Sequence, residues 1–93
     1  MNERDQELYQ LNIQINFYMD SVAQQKQYDN ALSCISYSTS SEESWKLQAQ
    51  AFADWRTQCW IIINNILGSL TPEQPVPTIE EIIPQLPVIV WPQ

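Results

Sequence analysis

All six prolines of this 93-residue chain lie between Pro72 and Pro92, and its single glycine is Gly68. Proline removes a backbone donor and clashes with the preceding helical turn, so long helices are excluded where it recurs and permitted where it is missing. The chain therefore divides before any periodicity is read. Residues 1–69 form a helix-permissive domain, and residues 70–93 form a Pro-rich docking tail.

Two long helices are predicted in the first part. Over residues 3–27, Leu8, Leu11, Ile15, Tyr18 and Val22 alternate spacings of three and four, a heptad stripe on one face. Ile13, Phe17 and Met19 widen the apolar surface, so this helix expects more than one neighbour. The stripe has two open destinations: the other long helix of the chain, or a self-associating coiled coil such as a trimer. Residues 28–37 predict a short helix capped by Asp29, with Leu32 and Ile35 sharing a face. After the Ser38–Ser41 loop, Ser40 and Glu43 have capping-box spacing and predict a helix over about 42–67. Its stripe is Trp45, Ala49, Phe52, Cys59, Ile63 and Ile66, with Trp60 and Leu67 broadening it. Gly68 stands where a helix C-cap takes positive φ.

The expected fold class is all-α: an antiparallel helical hairpin of two long helices with a short helix at the bend, then an extended Pro-rich C-terminal tail. Within that tail, Thr78 and Glu81 form a second capping-box pattern, and Pro84 stops the helix after little more than a turn. Leu86–Pro92 is extended and strongly apolar, so it must dock somewhere. It lies back on the hairpin, or on a neighbouring subunit, where Val88, Ile89 and Val90 would add a strand to an open sheet edge. Trp55 lies off the helical stripe beside Arg56, and is either an interface anchor or the floor on which the tail rests. Arg56, within an apolar face, is assigned Asp29 as its partner, because Asp54 is only two positions away on the same helix and does not face it.

The same residues narrow the chemistry. There is no histidine, and none of the eight serines has a base beside it. One glycine cannot build a phosphate-binding loop. Glu42/Glu43 and Glu80/Glu81 are adjacent pairs whose members point about 100° apart on a helix, and first-turn positions explain them. Cys34 and Cys59 fit no zinc or redox spacing, and buried free thiols are preferred over a disulfide. No catalytic residue, metal ligand or cofactor is expected, and the chain does not read as an enzyme. Four Lys+Arg against eleven Asp+Glu, net −7, disfavour nucleic acid and anionic membrane as partners. The longest apolar run, Trp60–Ile63, is too short to span a bilayer, and no apolar leader core follows the polar N-terminus. The chain reads as cytosolic when made.

Protein surfaces remain as partners. Twelve Gln and six Asn give a polar, weakly charged surface, and burying an amide costs less than burying an ion. Four Trp and four Tyr are many for this length, and both types anchor interfaces. A single core of this size rarely supplies more than about 3–5 kcal/mol, so support from other chains is expected. The candidate partner-binding residues are Leu8, Leu11, Ile15, Trp55, Val88, Ile89, Val90 and Trp91.

Three blocks carry a family resemblance. They are Tyr28–Tyr37 (YDNALSCISY), Ala51–Arg56 (AFADWR) followed by Trp60, and Pro75–Thr78 (PVPT) with Leu86-Pro87 and Trp91-Pro92. Together they resemble small proteins encoded in the tail-fibre and baseplate gene clusters of tailed bacteriophages. Similar segments end some longer tail-fibre polypeptides. The resemblance spans about residues 10–92 and implies a structural virion protein of the baseplate or tail-fibre junction, present in several copies among other tail proteins. It equally admits a tail-fibre assembly chaperone that is not retained in the particle. It assigns no catalytic or binding residue.

Overall fold

A computed structural model describes residues 2–92. Among them there is no strand, and four α-helices follow in order: α1 Glu3–Gln24, α2 Ala31–Ile35, α3 Glu43–Gly68 and α4 Ile79–Ile82. Short 3₁₀ turns extend α2 over Ser36–Thr39 and α4 over Ile83–Gln85. The all-helical class, with long first and third helices, is as expected from the helical spacing. The molecule is elongated, 50 × 22 × 19 Å, and α3 alone accounts for about 39 Å of that length at 1.5 Å per residue.

The Asn2 side chain opens α1 by accepting from the Asp5 amide at 2.8 Å, which satisfies one of the helix's orphan donors. The helix ends at Gln24, three residues before the expected boundary. A turn over 25–27 follows, and Gln27 takes the left-handed φ of 69°. The buried residues of α1 are Leu11, Ile15, Met19, Val22 and Ala23. The heptad expectation thus slips by one position halfway along, because Met19 is fully buried while Tyr18 and Leu8 are half-buried. A straight helix of 3.6 residues per turn drifts away from a strict 3.5 repeat.

α2 is capped by Asn30 rather than Asp29, through an Asn30 Oδ1 that accepts from the Ser33 amide at 2.8 Å. Ala31 and Cys34, three apart, take the inward face, and Leu32 is left 74% exposed, against the apolar face expected for it with Ile35. Asp20 of α1 holds the junction by accepting from the Ala31 amide at 2.9 Å.

The Ser40–Glu43 capping box does not form. The 3₁₀ turn carries the chain past Ser40, Glu42 becomes the N-cap, and its side chain makes no cap bond. Ser40 Oγ instead accepts from the Glu42 amide at 3.1 Å. The inner face of α3 is Ala49, Phe52, Trp55, Cys59 and Ile63. Trp55 is therefore in the stripe, and Trp45, expected there, is 50% exposed with its edge against Tyr37. Gly68 is the last residue of α3 without positive φ, and a Cβ placed on it would meet nothing within 4 Å. Helix termination there does not depend on glycine.

α1 and α3 lie side by side in opposite senses. Arg4 donates to the carbonyls of Thr71 and Gln74 at 3.2 and 2.8 Å. Leu8 and Leu67 line one cavity, the Tyr18 and Trp55 ring centroids are 6.1 Å apart, and Tyr28 Oη donates to Gln48 Oε1 at 2.8 Å. Low numbers on one helix meet high numbers on the other throughout. α2 fills the bend, and Ile82 and Leu86 join the same core from the C-terminal side.

Candidate functional site

The C-terminal segment begins with the capping box expected at Thr78 and Glu81, both of whose reciprocal bonds are present. After Gln85 the backbone is irregular and extended, and it crosses the inner face of α3. Trp55 Nε1–H donates to the Pro87 carbonyl at 2.7 Å. The Trp91 ring stacks on Phe52 at 6.1 Å and 15°. Lys26 sits over the outer side of that indole at 5.9 Å, and Trp91 Nε1–H reaches Gln25 Oε1 at 3.4 Å. Leu86, which ends the 3₁₀ turn, is buried. Beyond it a strand-like period of two sorts the side chains: Ile89 and Trp91 are half-buried, whereas Val88 and Val90 are 87% and 84% exposed.

The eight candidate contact residues thus fall into three groups. Leu11, Ile15 and Trp55 are buried inside the chain, and Leu8 is half-buried on a cavity that Trp60 and Leu67 of α3 also line. Ile89 and Trp91 are half-buried against the chain's own core. Val88 and Val90 alone stand fully in solvent. Of the two destinations open to the α1 stripe and to Trp55, the intramolecular one is occupied.

Of the residues expected to widen the apolar surface of α1, Met19 joins the core, and Ile13 and Phe17 lie on a second, outer face. Tyr9, Ile13 and Phe17 recur every fourth residue and are 58%, 44% and 76% exposed. Ile13 and Phe17, with Tyr18 and Ile79 of α4, line an apolar groove of about 320 Å³. Gln14 lies in this groove and in an adjoining one of about 640 Å³, bounded by Glu3, Glu7 and Glu80 and walled by Pro75–Thr78. The two neighbour each other at Gln14 between α1 and residues 75–80, and together are called the trough. Counting apolar residues on α1 would have found Ile13 and Phe17, but not the opposing wall, which only tertiary packing supplies.

The chain's two thiols are turned inward. Cys34 and Cys59 are fully buried free thiols, and burial pushes each up to about 11. The expected Arg56–Asp29 pair is not formed among the described residues. Asp29 is exposed, and Arg56 Nε is buried without a hydrogen-bond partner, as is Trp60 Nε1. Among the described residues no group of three or more His, Cys, Asp or Glu is placed to hold a metal ion. No helix there is long and apolar enough to cross a membrane. Compared with family models, curated proteins and solved structures, the chain matches none.

Proposed function

We propose that this chain is a structural component of a bacteriophage tail, in the baseplate or tail-fibre attachment region, acting through protein–protein contacts in several copies. The observation that carries the reading is where apolar surface remains once the core is complete. Phe52, Ile15, Met19 and Ile63 are sealed by the chain's own residues, yet Phe17, Leu32, Val88 and Val90 each keep about three-quarters or more of their surface in water. Apolar side chains exposed on α1, on α2 and at the C-terminal end suit a small part held by neighbours on several sides.

The three blocks that resemble phage tail proteins support the same reading from another direction. Their residues Ala31, Cys34, Phe52, Trp55 and Leu86 share one buried cluster.

Peptide mass spectrometry of washed, purified phage particles tests the proposal. The chain is expected at a fixed ratio to the tail proteins. Its absence from particles, while it co-purifies with a fibre protein from infected cells, would replace the structural role with that of an assembly chaperone.

A further inference from the structure

We infer that the trough between α1 and residues 75–80 seats a cationic, amphipathic segment of another protein. The inference takes up the contact role proposed above and names the chemistry of one partner. One half of the trough is apolar, with Ile13, Phe17 and Ile79 in its lining. The other half carries three carboxylates, Glu3, Glu7 and Glu80, all on exposed residues. Between them Gln6, Gln10 and Gln14 form a ridge of amides at four-residue spacing along α1.

The opposite wall has the same bias toward accepting hydrogen bonds. In Pro75-Val76-Pro77 only Val76 has a backbone N–H. Arg4, also near this end, has its guanidinium committed to the carbonyls of Thr71, Pro72 and Gln74. A ligand therefore has to bring donors and positive charge to one end and apolar side chains to the other. Lys or Arg spaced along a segment with Leu- or Phe-like residues does both.

A second copy of this chain fits poorly. It carries four Lys+Arg against eleven Asp+Glu and would bring further carboxylates to an acidic trough. The length also suits a short helix or strand. From Glu3 to Phe17, α1 flanks the trough for about 21 Å at 1.5 Å per residue.

The test uses the purified full chain and, as probe, an amidated helical peptide of Lys and Leu, with a Glu/Leu peptide of the same pattern as control. Binding is followed by fluorescence anisotropy and by amide chemical shifts. The Lys/Leu peptide is expected to bind and the Glu/Leu peptide not. Shifts should centre on residues 3–17 and 75–80. Glu7→Lys with Glu80→Lys should weaken binding about tenfold, a change of about 1.4 kcal/mol. Glu42→Lys with Glu43→Lys, the same charge change at the start of α3, should leave it within about twofold. Phe17→Ser, at an exposed position, should weaken binding without lowering the melting temperature.

Equal losses in the two charge-reversed pairs would reduce the effect to net charge and overturn the inference. So would shifts centred on Val88–Trp91, or a concentration-dependent dimer abolished by Phe17→Ser. The assay needs no phage particle, so its failure leaves the tail assignment to be judged by particle composition alone.

Discussion

The inner face of α3 and the outer face of α1 are both apolar helical surfaces beside the C-terminal segment, but the chain covers only one of them. On α3, Leu86 is buried in the core cluster, the Pro87 carbonyl accepts from the Trp55 indole, and Trp91 stacks on Phe52. On α1, Ile13 and Phe17 line an open groove with Ile79 of α4 and stay 44% and 76% exposed. An extended segment has one inward face, and this one turns its inward side chains to α3 while Val88 and Val90 point away. The contrast teaches that exposed apolar surface here is not a shortage of covering chain. The segment that could cover α1 passes beside it and forms a wall instead.

Five perturbations break or sharpen that contrast. Phe52→Ala removes the ring on which Trp91 stacks from a fully buried site. It should cost about 3–5 kcal/mol, enough to unfold most of a domain this small, as read by urea denaturation. Alkaline pH attacks the covered face through its thiols. In the unfolded chain a thiol ionises at about 8.5, whereas Cys34 and Cys59 in the fold are pushed up to about 11 by burial. The protonated thiol is the form that the fold favours, so stability is complete below the unfolded value and falls as pH rises toward 11. The full loss is on the order of 3 kcal/mol per thiol. Tyr18 and Tyr28, also raised chiefly by burial, act in the same direction at the upper end. Melting temperatures between pH 7.5 and pH 10.5 should decline steadily, and a flat profile would contradict thiol burial.

Trp91→Ala strips the stacking partner of Phe52 but acts at a half-buried site, and should cost about 2 kcal/mol with weaker incorporation into particles. A variant that melts and assembles like the parent would show that this end is not docked. Trp55→Phe keeps most of the buried ring and removes one donor. It should cost about 1 kcal/mol and free the residues around Pro87, visible as faster proteolysis. Phe17→Ser, on the uncovered face, should change stability by less than about 0.5 kcal/mol.

Most of the architecture could be anticipated because its signals are exclusions and local chemistry. Proline confined to residues 72–92 leaves the earlier part free for long helices, and the Thr78/Glu81 box works within four residues. The failures came where a neighbour decides. Trp45 and Trp55 are equally plausible core residues by type, and their fates were exchanged because the C-terminal segment covers the middle of α3 and not its start. Leu32 faces out because Ala31 and Cys34, smaller and three apart, are the pair that docks in the core. Ser40 lost its capping role to a 3₁₀ turn whose existence no periodicity announces. The trough on α1 joins residues some sixty positions apart, such as Gln14 and Pro77, and its opposing wall is invisible to any local pattern.

A soluble, neutral paramagnetic chelate reads both faces in one NMR experiment, since it broadens signals in proportion to their exposure. The Phe17 ring and the Val88 and Val90 methyls should be bleached at concentrations that leave the Phe52 ring, the Trp55 indole N–H and the Ile63 methyls sharp. Broadening of Trp55 and Phe52 to the same degree as Phe17 would show that the chain does not cover α3. A sharp Phe17 would show that the outer face of α1 is already occupied.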